Sequence, residues 1–159
     1  MDNAELKKML IDIPTKLCRT MSLTIISGIL SGFPEGFSKN HLTIVRLLDE
    51  ADRLYITEIV DLIGITKPQM TATADKLIRM DLVERKYDQN DRRKIFLCLT
   101  SEGKNVAGRI NQNIDVVVNK LLSDFSEDEL SELAMGLKAF NKICSLCISR
   151  YVKNGNNEI

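Results

Sequence analysis

Residues 82–100 read LVERKYDQNDRRKIFLCLT. Two short runs, LVERKY and IFLCL, flank a polar turn, which is the pattern of a β-hairpin with a charged tip. Immediately upstream, residues 55–83 read YITEIVDLIGITKPQMTATADKLIRMDLV. Ile56, Ile59, Val60 and Ile63 define a short helix, and Gly64 suits a left-handed C-terminal cap. Thr66 then caps a second helix, with Gln69 completing a Thr-x-x-Gln box and Pro68 tolerated in the first turn. Met70, Thr73, Ala74 and Leu77 face inward, leaving Gln69, Thr71, Ala72, Asp75, Lys76 and Arg79 outward.

Outward from this centre the pattern is helical. Between Glu5 and Leu30, Leu6, Met9, Leu10, Ile13, Leu17, Met21, Ile25 and Ile29 recur on one amphipathic stripe. Pro14 predicts either a kink or a short leading turn followed by a fresh helix, and FPEGF at 33–37 ends the segment. Ser38 is the N-cap of the next helix, whose buried face of Leu42, Val45 and Leu48, with Ile44 a further candidate, runs to about Asp52. Beyond the hairpin, Thr100 caps a long helix carrying Val106, Ile110, Ile114, Val117 and Leu121, with Gly103 weakening its first turn. Ser126-x-x-Glu129 is a further capping box, opening a last helix with Leu130, Leu133, Leu137, Phe140, Ile143 and Cys147. Residues 153–159 are expected to form a disordered tail. The fold class is therefore mainly α with a small β-hairpin wing. Helix, turn, helix and hairpin make a winged helix-turn-helix at 38–99, whose second helix can enter a major groove while the hairpin follows the backbone beside it.

Composition narrows the function classes. Apolar residues make up 44% and charged residues 28% of 159 positions, as in an ordinary water-soluble globule. The most apolar segment, Met21 to Phe33, is too short and too polar for a membrane span, and the N-terminus lacks a signal-peptide pattern, so a cytoplasmic protein without membrane contact is expected. Lys and Arg (22) balance Asp and Glu (22), so net charge alone does not favour a polyanion partner. Its distribution does: Arg85 to Lys94 carries five basic residues against two acidic ones, a basic tip on an acidic body. Cys18, Cys98, Cys144 and Cys147 fall within apolar patterns and are expected as reduced, mostly buried thiols. With His41 as the one histidine, a four-ligand zinc site is poorly supplied, and neither a metal nor a cofactor is implied. The sequence also offers no catalytic constellation and no Gly-rich phosphate loop, which argues against an enzyme.

The run DLVERKYDQNDRRKIFLCLTSEGK resembles the wing and following helix start of the multiple antibiotic resistance regulator (MarR) family. Leu82-Val83-x-Arg85, Asp91-Arg92-Arg93 and Leu99-Thr100-x-x-Gly103 stand in the family's order and spacing. Two positions depart from it: Asp81 replaces the Gly that usually precedes the Leu-Val pair, and Ala72 replaces a frequent recognition-helix Arg. The resemblance extends more loosely over residues 5–150. It implies a homodimeric, sequence-specific regulator of transcription, read as a repressor, acting on an inverted-repeat site in double-stranded DNA. In that arrangement residues 1–37 and 100–152 form the dimerisation region.

Within this reading, Lys67, Gln69, Thr71 and Lys76 are the candidates to reach base edges. Gln69 has two readings of equal standing, adenine recognition or the capping box alone. Arg92 and Arg93, with Lys94, match the wing cations that meet the minor groove or its phosphates, and Asp91 would orient one of the arginines. The resemblance also implies a small, often aromatic or anionic, effector. His41, Arg46 and Arg19 are polar residues on the helices flanking the space such a ligand would use, with exposed surface positions the default for each. Cys18 on the first helix gives an alternative, a redox-sensing regulator. A further alternative is a winged helix serving only as a protein-interaction module, against which the basic wing counts.

Overall fold

The computed structural model describes the backbone of residues 2–88, 91 and 93–155, and their side chains apart from those of Met21 and 147–155. Among these residues the elements are α1 (Asn3–Thr20), a π-helical segment (Met21–Ile26), α2 (Ser27–Leu30), α3 (Lys39–Ala51), β1 (Arg53–Tyr55), α4 (Ile56–Ile63), α5 (Lys67–Arg79), β2 (Val83–Tyr87), β3 (Ile95–Leu99), α6 (Ser101–Leu122) and α7 (Glu127–Gly155). The chain divides into two compact units, Met1–Val118 and Asn119–Ile159.

The expected hairpin is present, but the sheet has three strands. Its order is β1-β3-β2, with Leu54 opposite Leu97 and Arg85 opposite Leu97 on the other side. The additional strand is only three residues long, too short to carry a periodic signal. Ile44, Val45 and Leu48 of α3, Ile59 of α4, Met70, Ala74 and Leu77 of α5, and Val83 and Leu97 of the sheet close one core. The first half of α6 joins it through Val106, Ala107 and Ile110.

Local chemistry sets the element ends. Gly64 lies at φ 65°, in the left-handed conformation expected of it. Asp81 also takes a positive φ of 57°, where a Cβ carries a steric cost. Gly103 allows the hairpin to close onto α6: a Cβ there would stand 2.0 Å from the Leu82 carbonyl oxygen. Around it, the Thr100 N–H donates to Leu82 O at 3.1 Å, and the Gly103 N–H donates to Thr100 Oγ1 at 2.9 Å. The residue expected to weaken the turn is thus the one that makes the close approach feasible.

Other expectations change. α1 runs through Pro14 as one helix, so no separate leading turn forms there: proline's fixed φ is helical and the loss of its N–H need not end a helix. The departure from α-geometry comes later, in the π-helical segment. α7 extends through Gly155, three residues into the segment expected as a disordered tail, and residues 156–159 lie outside the described residues. Cys18 is exposed rather than buried because no side chain of α1 is buried in the single chain. Cys98 and Cys144 are half-buried, and the Cys147 side chain lies outside the described residues.

Candidate nucleic-acid interface

The N-terminus of α5 is open to solvent and locally rigid. The Thr66 N–H and hydroxyl both donate to Gln69 Oε1 at 2.9 Å, and the Gln69 N–H returns to Thr66 Oγ1 at 3.4 Å. Gln69 therefore fills its capping role in the unbound protein. Lys67, Gln69 and Thr71 are all exposed. The Thr71 hydroxyl donates to Lys67 O at 3.1 Å, which leaves its oxygen able to accept.

Lys76 is placed differently from the outward-facing reading. Its ammonium donates to Gly36 O at 2.6 Å, on the turn before α3. A helical wheel locates a Cα, whereas the long lysine stem can swing back to an unpaired carbonyl. Gly36 has φ 85°, the left-handed side of the backbone map that glycine enters freely at a turn.

The wing is organised by acceptors. Asp91 Oδ1 accepts the Arg93 N–H at 3.1 Å and its Nε–H at 3.2 Å, while Asp91 O accepts the Lys94 N–H at 2.9 Å. Asp91 thus directs Arg93, whose side chain is 93% exposed. Lys94 is exposed, with its ammonium 5.9 Å from the centre of the Tyr55 ring. Arg92, the other wing arginine singled out, lies outside the described residues.

Two contacts escaped sequence reasoning. Arg85 of β2 pairs with Asp75 of α5 at 2.7 Å, joining the wing to the helix beside it. The Tyr55 hydroxyl donates to Asp88 Oδ2 at 2.6 Å, across 33 residues of chain. Opposite charges ten residues apart were the only sequence signal for the first, and no local pattern marks the second. Elsewhere on β2, the Lys86 ammonium on Glu84 (2.7 Å), and then the Cys98 thiol, hold the Glu84 carboxyl below its ordinary range. Burial, followed by the Glu84 hydrogen bond, pushes the Cys98 thiol up, so it is a poor nucleophile there.

The residues weighed for an effector are not brought together. His41 is 4% exposed, contrary to the surface default, because its ring completes the cap of α3: the Ser38 N–H donates to Nδ1 at 2.8 Å. Arg46 pairs with Glu50 at 3.4 Å on the solvent side of α3, and Arg19 is exposed on α1. A separate cleft of ≈ 180 Å³ is lined by Phe33, Phe37, Met80, Leu82 and Val106, with Arg109 and Glu102 as its charged members. Among the described residues no group of three His, Cys, Asp or Glu side chains could hold a metal ion, and no helix is long and apolar enough to cross a membrane.

The MarR family model matches residues 37–95, which spans the core of the winged helix and most of the wing. An uncharacterized HTH-type transcriptional regulator of Bacillus subtilis, YpoP, is 26% identical over 136 residues, covering 86% of this chain and 94% of that protein. The transcriptional regulator BldR from Sulfolobus solfataricus superposes with a TM-score of 0.71 at 26% identity, over 91% of this chain and 99% of BldR. Residues 37–95 are thus similar to the MarR family, and the likeness to winged-helix regulators runs over most of the chain. With these proteins the chain shares the winged helix of a DNA-binding transcriptional regulator. The homoprotocatechuate degradative operon repressor of Escherichia coli is 27% identical over 97 residues, 61% of this chain and 66% of the repressor. Two solved relatives carry partners: Streptococcus pneumoniae FabT with DNA (TM-score 0.66, 19% identity, 91% and 98% coverage) and NadR with 4-hydroxyphenylacetate (TM-score 0.63, 26% identity, 84% and 93% coverage).

Proposed function

We propose that this protein is a homodimeric, cytoplasmic repressor of the MarR family that binds an inverted repeat in duplex DNA and performs no chemistry of its own. The observation that carries the reading is the wing, where Asp91 holds the exposed Arg93, together with an α5 whose Lys67, Gln69 and Thr71 stand open. Cations at a hairpin tip supply salt-dependent backbone affinity, and the open helix terminus supplies base contacts. Arg92 and Lys94 would add to the wing term. Gln69 would read adenine only by giving up its cap, so it is assigned to the bound state alone, and Thr71 to either state. Lys76 is assigned to holding the Gly36 turn.

The dimer is supported by α1, none of whose side chains is buried in a single copy although Leu6, Met9, Leu10, Ile13 and Leu17 lie along it. Such a face needs a partner in water, and a second copy is the simplest one. Two-fold symmetry then sets two half-sites about one helical turn apart. For control, the apolar cleft with Arg109 at its wall suits a small aromatic anion, the chemical class of the ligand in NadR. Repression follows from occupying the promoter.

Selection of bound duplexes from a random pool tests the operator. An enriched inverted repeat, bound by two protomers per duplex, is expected; enrichment of a single half-site by a monomer would contradict the proposal.

A further inference from the structure

We infer that Tyr55 is the residue that positions the wing: its hydroxyl latches the hairpin tip to the helix-turn-helix and thereby aims Arg93. The inference rests on the DNA-binding reading above and adds to it a residue that touches no DNA.

Tyr55 is unusually well fixed for a half-exposed side chain. It is the last residue of β1, paired with Phe96 of β3, and it is also the N-cap of α4. Its N–H donates to Glu58 Oε2 at 2.8 Å, tying its backbone to the first turn of that helix. Its ring meets Phe96 edge-on, with centroids 6.2 Å apart. From this anchor a relay of hydrogen bonds runs outward. The phenol donates to Asp88 Oδ2 at 2.6 Å, and Asp88 Oδ1 accepts the Asp91 N–H at 3.1 Å. Asp91 in turn accepts from Arg93, through both the backbone N–H and Nε–H. The Asp88 N–H donates to Lys94 O at 3.0 Å, closing the base of the turn.

A two-stranded ribbon projecting from a sheet bends easily, and an arginine on its tip inherits that motion. Fixing the tip before binding removes an ordering cost that would otherwise be charged against affinity. The hydrogen bond is charge-assisted and short, the kind most able to hold such a tip. Tyr55 also begins the first helix of the helix-turn-helix, so the latch registers the wing cation directly against the element that crosses the DNA backbone.

The test is a double-mutant cycle with the full chain and a fluorescein-labelled duplex of the DNA upstream of its own gene, read by anisotropy across a potassium chloride series. Tyr55→Phe, which removes only the hydroxyl, is expected to weaken binding by roughly three- to tenfold. It should also lower the slope of log K against log salt by about one, because one wing cation ceases to neutralise a phosphate. In the Arg93→Ala background the same change should have almost no further effect. A merely structural tyrosine would cost the same factor in both backgrounds, and that result would overturn the inference. Asp88→Ala, the other end of the latch, should reproduce the Tyr55→Phe loss; a loss at Asp88 with none at Tyr55 would also overturn it. Salt-insensitive or absent binding by the wild type would defeat the DNA-binding reading and the latch together, whereas tight wild-type binding with an indifferent Tyr55→Phe defeats the latch alone.

Discussion

The winged core and the leading helix obey opposite rules. Every element from α3 to the first half of α6 places side chains in one closed core, and Ile44, Val45, Ile59, Met70 and Leu97 are wholly excluded from solvent. α1 is as apolar in pattern, yet its 18 residues bury none of their side chains. The core is thus complete within one chain, and its stability is set by packing tolerances. In the proposed dimer, a second copy covers the apolar stripe of the helix. A substitution should therefore act on folding in the first region and on assembly in the second.

The largest effect is expected where the core tolerates least. Gly103→Ala would press a methyl against the Leu82 carbonyl oxygen, which is backbone and already accepts from the Thr100 N–H. A loss of about 3 kcal/mol or more is expected, measured by urea unfolding. A near-neutral result would mean that the hairpin and α6 approach less closely than described. Leu10→Glu with Leu17→Glu, two open positions on α1, should do the reverse: the core's fold is retained while sedimentation shows monomers. Operator affinity should fall on the order of a hundredfold, because the two reading heads no longer act at high effective concentration. Dimers that persist in this variant would erase the contrast between the two regions.

The smallest effect concerns the histidine at the edge of the core. Burial first, and the Lys76 ammonium second, hold the His41 imidazole below its ordinary 6.5, and Nδ1 must remain unprotonated to accept from Ser38. Well above pH 6.5 neither the folded nor the unfolded state binds the proton, so His41 contributes no pH dependence there. As pH falls below that value the unfolded chain protonates first, and stability declines until the folded-state pKa is reached. The thermal midpoint should therefore drop by a few degrees on mild acidification. His41→Gln, which keeps an acceptor for the cap but does not titrate, should flatten that part of the profile; an unchanged profile would remove His41 from the account.

Legibility follows the same division between local and distant. Gly64, the Thr66–Gln69 box and the Ser126–Glu129 box act within one turn of helix, and each was readable from residue type and spacing. The hairpin was readable because its period differs from that of its flanks. β1 was not, since Arg53–Tyr55 is too short to show a period and is defined only by its pairing with β3. Helical spacing predicts an outward Lys76 because the reach of its stem lies outside a wheel's geometry. The sequence points to a surface position for His41 because a histidine at the third position of a capping box is an uncommon partner. Tyr55–Asp88 and Asp75–Arg85 join elements that only the folded chain brings together. At the site itself, residue types at the wing tip were legible, while the contacts that aim them were not.

The central claim, that the wing makes this chain a DNA-binding regulator, is tested most directly by anisotropy binding to the DNA upstream of its own gene, comparing wild type with Arg92→Ala/Arg93→Ala across a salt series. Tight, salt-sensitive wild-type binding that collapses in the variant is the expected result. Equal, weak binding by both proteins would contradict it and leave a winged helix that meets other proteins rather than DNA.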